Sequence, residues 1–188
     1  MKNLVLASQS PRRRELLAIL GHEFSVVPSS IDEAPEPGET PDTYVVRVAR
    51  DKGMEVASRV SHSVILSADT VVTIDGEILG KPADKDDAIR MLRKLSGRDH
   101  IVYTAVSVIN QKRAETLEGL EETRVWFKTL TDDEILDYIR REDVSDKACA
   151  YAIQGYAGVY IPKIEGNYFN VMVLPLPLVH QLLCRTSS

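Results

Sequence analysis

The sequence predicts a mixed α/β protein built on an elongated, twisted sheet flanked by helices. Three observations predict it. Short runs rich in β-branched residues are interleaved with segments whose apolar residues recur at helical spacing. The two types do not alternate strictly as strand, helix, strand, so the sheet is expected to be mixed rather than wholly parallel. Asp75-Gly76, set between apolar runs, is a dipeptide of two-residue hairpins.

Taken in order, Leu4 to Ala7 reads as a buried strand. Ser10-Pro11 gives an N-cap followed by a proline at the first helical position, Leu16, Leu17 and Leu20 form an apolar face, and Gly21 stops the helix. A short strand follows near Phe24 to Val27, then a proline- and acid-rich loop from Pro28 to Thr40. Thr40-Pro41 opens a second helix that runs to about Ser58. Ser63 to Ile74 is a β-branched strand that turns at Asp75-Gly76 into Ile78-Leu79. Asp84 starts a third helix with Ala88, Met91, Leu92 and Leu95 inward, ending near Gly97. Strands follow at about His100 to Asn110 and Thr116 to Phe127. Thr131 with Glu134 makes a capping box for a helix from Asp132 to Arg141. Tyr151 to Ile164 reads as extended, and Pro175 to Cys184 as a last short helix. The pattern contains no repeat, low-complexity tract or linker, so residues 1–188 are expected to form a single domain.

Composition narrows the function. A net charge of −5 argues against binding along a nucleic-acid backbone. No apolar run is long enough to span a bilayer, and the first strand is too short for a secretory core. Cys149 and Cys184 are far apart and read as thiols of a reducing compartment. The four histidines are scattered, which gives a histidine zinc site little support. Charge is uneven, however. Arg12-Arg13-Arg14 is a basic cluster, whereas residues 31–43 hold five acids and neither Lys nor Arg. A small anion site fits that pattern.

Four places carry candidate chemistry. Ser8 to Arg13 joins a strand end to a capped helix start, where free N–H groups and the Arg12 and Arg13 side chains favour an anion. Cations are otherwise unfavourable there, by roughly 0.3–1 kcal/mol each. Asp69, beside Thr70, is a carboxylate in an apolar strand and needs a cation, a metal or several donors. A strand-end aspartate capping a loop would look the same. Glu33, in the acidic loop, is the weaker candidate for a second carboxylate. Lys81, between Gly80 and Pro82, sits on a rigid loop, and Lys52 lies at the edge of the apolar stripe of the second helix. Either lysine alone could be simply solvated or snorkelling. Last, Asp146 to Gly155 is rich in small residues that admit close approach, and Gln154 offers both a donor and an acceptor.

Together these segments resemble the Maf family of nucleotide pyrophosphatases. The matching pieces run in order: Leu6 to Arg13, Ala68-Asp69-Thr70, Gly80-Lys81-Pro82, Leu95 to Arg98, Ala152 to Gly155, and then Gly166 to Val171. The resemblance implies two lobes around a cleft, a fold related to inosine-triphosphate pyrophosphatases, a nucleotide substrate, a divalent cation (Mg or Mn), a cytoplasmic location and often a homodimer. It makes Asp69 the general base; on that reading Asp69 also helps hold the metal, with Glu33 the weaker candidate for a second ligand, and Ser8, Arg13, Lys52 and Lys81 are expected to neutralise the phosphates. Arg12, Thr70 and Gln154 match the group that splits dTTP and UTP rather than its sister group. Cys149 stands where the family usually has Gly, and Gly53 where Ala is common. Two rivals are a non-catalytic nucleotide-binding regulator of cell division and septum formation, and a phosphohydrolase that releases single phosphates.

Overall fold

The structure, a computed structural model, describes residues 3–145 and 147–187, and of Ser187 the backbone alone. Asp146 lies outside the described residues. The elements are β1 (Leu4–Leu6), α1 (Pro11–Ile19), β2 (Phe24–Val26), α2 (Pro41–Ala57), β3 (Val64–Ile74), β4 (Glu77–Leu79), α3 (Lys85–Leu95), β5 (Asp99–Asn110), β6 (Glu115–Trp126), α4 (Asp132–Arg141), β7 (Lys163–Glu165), α5 (Tyr168–Val171) and α6 (Leu176–Ser187). Seven strands form one open sheet in the order β2, β1, β3, β5, β6, β7, with β4 paired to β3. β1 is parallel to both β2 and β3, while β4 and β7 run antiparallel to their partners. The expected mixed sheet with flanking helices is what forms.

Local signals explain most boundaries. Ser10, Asp84 and Thr131 each accept a hydrogen bond from the backbone of the helix they cap, and Glu134 closes the box on Thr131. Asp75 and Gly76 have φ of 55° and 78°, both left-handed as the tight hairpin demands.

The chain divides into two compact units. The first comprises residues up to Thr70, Thr104–Glu121 and the chain from Val173 onward. One of its apolar clusters joins Val5, Ala7, Val56, Ile65 and Ile109. Gln111 ties the end of α2 down, donating to the carbonyls of Ala57 and Val60 and accepting from the Ser63 N–H.

The second unit comprises Val71–Tyr103 and Glu122–Met172. The inward faces of α3 and α4 bury Met91, Leu92, Leu95, Ile135 and Tyr138 against Val72, Val102 and Val125. Each such side chain contributes roughly 1.5–3 kcal/mol. A buried polar pair, His100 Nε2 to the Tyr151 hydroxyl at 2.7 Å, packs against Phe127. Burial pulls the His100 pKa down to about 4, so the ring is neutral at physiological pH.

One reading fails here. Tyr151 to Ile164 is not extended: a 3-10 turn occupies Tyr156–Tyr160, and only Lys163–Glu165 forms a strand. The aromatic and branched residues favour a strand locally, but Glu142 Oε1 accepts from the Tyr156 N–H at 2.8 Å and fixes a turn. The short helix α5 was not foreseen; Asn167 caps it through the Phe169 and Asn170 N–H groups.

Candidate active site

The parallel pairing of β1 with β3 places the end of the first strand beside the chemistry of the third. Leu6 pairs with Leu66, and the Ala7 N–H donates to the Leu66 carbonyl at 2.8 Å. From there the chain turns through Ser8, which is buried and accepts from the Ser10 N–H at 3.2 Å. Ser10 then caps α1, which carries Arg12 and Arg13 in its first turn.

Arg13 turns inward. Its guanidinium is buried, with Nε donating to the Val173 carbonyl at 3.1 Å and Nη2 to Thr70 Oγ1 at 3.0 Å. Thr70 in turn lies 2.9 Å from Thr104 Oγ1. Burial lowers the Arg13 pKa, while the nearby charges of Asp69 and Glu33 oppose that shift. Val173 is a β-branched residue at φ 89°, a strained conformation that turns its carbonyl toward Arg13. Nothing in the sequence marks Val173 or Thr104 as part of this arrangement.

Asp69 finds the cation its apolar strand requires. Lys52 Nζ lies 2.8 Å from Asp69 Oδ1 and 2.9 Å from Glu33 Oε2. Lys52 is therefore neither solvated nor snorkelling. It is buried, and its side chain and that of Asp69 are each 9% exposed. The Tyr44 hydroxyl donates to the Glu33 carbonyl at 2.7 Å and holds the acidic loop in place. Burial, reinforced by Asp69 and Glu33, pushes the Tyr44 pKa up to about 12. Among the described residues no three His, Cys, Asp or Glu side chains gather into a metal cluster. Asp69 and Glu33 are the two carboxylates that could share a cation.

A close approach of α2 to β3 sets the Lys52–Asp69 distance. A Cβ on Gly53 would stand 2.7 Å from Ser67 Oγ and 3.1 Å from Ile109 Cδ1. Ser67 Oγ donates to the Ala49 carbonyl at 2.6 Å. Gly53 and Ser67 are thus matched in size, which accounts for glycine beside Lys52. Gly53→Ala is expected to destabilise by about 1–3 kcal/mol through overpacking. Ser67→Ala should recover most of that in the double variant, giving a coupling of at least about 1 kcal/mol. Urea unfolding of the four proteins checks it, and additive losses would refute the match.

Lys81 and Gln154 belong to the second unit and are both exposed. The Lys81 loop is held by the Cys149 N–H, which donates to the Gly80 carbonyl at 2.8 Å. Gln154 sits on the turn that Glu142 fixes, and a Cβ on Gly155 would meet Glu142 Oε1 at 2.8 Å. Pro82, next to Lys81, and Glu142 line one cavity of about 410 Å³ in this unit. Glu142 carried no sequence signal.

The Maf-like protein family model matches residues 3–186. The chain belongs to the Maf family. A relative from Geotalea uraniireducens is 49% identical over 186 residues, covering 99% of this chain and 96% of that one. Another from Syntrophomonas wolfei is 47% identical, covering 97% of each chain, and one from Thermoanaerobacter sp. (strain X514) is 44% identical, covering 97% and 95%. Each of the three is named dTTP/UTP pyrophosphatase. The solved Staphylococcus aureus Ham1 protein aligns with 67% of this chain and 72% of that one at 16% identity, with a TM-score of 0.49, a likeness too slight to argue from.

In this Maf protein Cys149 has φ 55° and ψ 30°, the left-handed region. That explains why glycine suits the position: a side chain there costs roughly 1–2 kcal/mol.

Proposed function

We propose that this Maf protein hydrolyses dTTP and UTP to the monophosphate and pyrophosphate and so clears nucleotide pools. The observation that carries the reading is Asp69, a nearly buried carboxylate held at 2.8 Å by Lys52 within the field of Arg13. The names borne by relatives that align over almost the whole chain support the substrate.

Water attacks the α-phosphorus while Asp69 takes its proton. The bond from that phosphorus to the α–β bridging oxygen breaks, and pyrophosphate leaves with the electron pair. Ser8, Arg13, Lys52 and Lys81 oppose the charge that grows on the leaving group. Asp69 and Glu33 present hard carboxylate oxygens, a donor set that fits Mg or Mn. Such an ion, when bound, neutralises phosphate charge and acidifies water. Arg12, Thr70 and Gln154 set the base preference. The proposal extends to residues 1–188 acting as one domain, to a homodimer and to the cytoplasm.

A panel of ordinary and modified triphosphates with pyrophosphate detection tests it. Release of single phosphates would favour a phosphohydrolase instead. Binding without turnover would favour the non-catalytic regulator of cell division.

Gln154 carries the selectivity. Its side chain is exposed on a turn held by Glu142, so its amide can meet a base. Uracil and thymine present an O4 acceptor beside an N3–H donor, which a glutamine amide matches, whereas cytosine inverts both. A mismatch costs on the order of 1–3 kcal/mol, or roughly tenfold to a hundredfold. Gln154→Glu is expected to depress dTTP and UTP turnover and to shrink the UTP-to-CTP ratio of kcat/KM. An unchanged ratio would remove Gln154 from base reading.

A further inference from the structure

Two carboxylates share one lysine. Asp69 Oδ1 and Glu33 Oε2 both lie within 3 Å of Lys52 Nζ, although β3 supplies one and the loop before α2 the other. Carboxylates brought so close repel unless a positive charge stands between them. The loop does not depend on that contact for its course. The Tyr44 hydroxyl holds the Glu33 carbonyl, and Arg47 holds the Ala34 carbonyl and the Glu39 carboxylate. The Glu33 side chain is half exposed and can change partner without moving its backbone. Lysine, a point charge on a flexible four-carbon stem, can do the same.

We propose that Lys52 is an exchangeable internal cation, the counter-ion that a divalent metal must displace from Asp69 and Glu33. Once displaced, its ammonium turns to the triphosphate. The proposal rests on the reading of Asp69 and Glu33 as metal ligands. It implies that Lys52 and a divalent cation compete for the same oxygens. Metal alone therefore binds weakly, and a triphosphate strengthens its binding by drawing Lys52 away.

The test is Mn²⁺ binding without nucleotide, followed by calorimetry and by the paramagnetic resonance of the free ion. Lys52→Gln is expected to bind Mn²⁺ about tenfold or more tightly than wild type, since removing one charge a few ångströms away is worth at least that factor. Lys52→Arg, which keeps the charge, should stay near wild type. Glu33→Gln added to Lys52→Gln should remove the gain. Circular dichroism checks folding, and Lys52→Met serves as the second variant should Lys52→Gln fail to fold. Equal or weaker binding by a folded Lys52→Gln or Lys52→Met protein overturns the exchange. If wild type binds Mn²⁺ with a non-hydrolysable dTTP analogue while the neutral variant gains nothing without it, only the exchange falls. If neither protein binds Mn²⁺ even with the analogue, the ligand assignment falls, and the exchange with it.

Discussion

Asp69→Asn is expected to fold and to lose turnover by about 10²–10⁴, the usual cost of removing a general base. The substitution keeps the side chain's size and shape at a residue that is buried. The amide oxygen can still accept from Lys52, and Lys52 keeps Glu33 as its charged partner. What disappears is the capacity to take a proton and half of the carboxylate pair. Steady-state rates on dTTP and UTP at saturating Mg²⁺ or Mn²⁺, with a thermal melt alongside, measure both effects. A folded variant with a near-wild-type rate would end the assignment of Asp69 as the base.

Arg13→Ala is expected to lose roughly 2–5 kcal/mol of stability as well as activity. The guanidinium donates to the Val173 carbonyl and to Thr70 Oγ1, and hydrogen bonds from a charged group contribute about 1.5–3 kcal/mol each. The removed side chain also leaves a cavity, which adds to the loss. Arg13→Lys should recover only part of this, because an ammonium does not reproduce the fork that reaches Val173 and Thr70 together. Urea unfolding gives the stability term, and kcat/KM for dTTP at a temperature where the variant is folded gives the other. Stability within 0.5 kcal/mol of wild type, on the scale of an ordinary surface change, would show that the buried fork is not structural.

These two residues show where sequence reasoning reaches and where it stops. Asp69 is legible because an acid in a β-branched run conflicts with its neighbours, and the conflict itself signals a partner. The partner is not legible. Lys52 lies at the edge of a helix's apolar stripe, a position shared by many snorkelling lysines, and only the packing of α2 on β3 decides that it turns inward. Arg13 reads as a basic residue of an exposed first turn, yet its deepest bond is to Val173, 160 positions away. Local chemistry foretells the caps at Ser10, Asp84 and Thr131 and the hairpin at Asp75-Gly76, since each is complete within four residues. The turn around Gln154 is settled by Glu142, twelve residues upstream, against the strand preference of the segment itself. The same holds for Gly53, whose missing side chain makes sense only beside Ser67.

The left-handed Cys149 has a practical consequence. Its thiol is buried and burial raises its pKa to about 12, so a thiol reagent meets almost no thiolate in the folded second unit. Cys184 is exposed on α6 and belongs to the first unit. The two thiols therefore report different things. Cys184 labels without any opening of the fold, while Cys149 labels only when its surroundings open, and the slowing of Cys149 relative to the same thiol in the unfolded chain reads the free energy of that opening under native conditions.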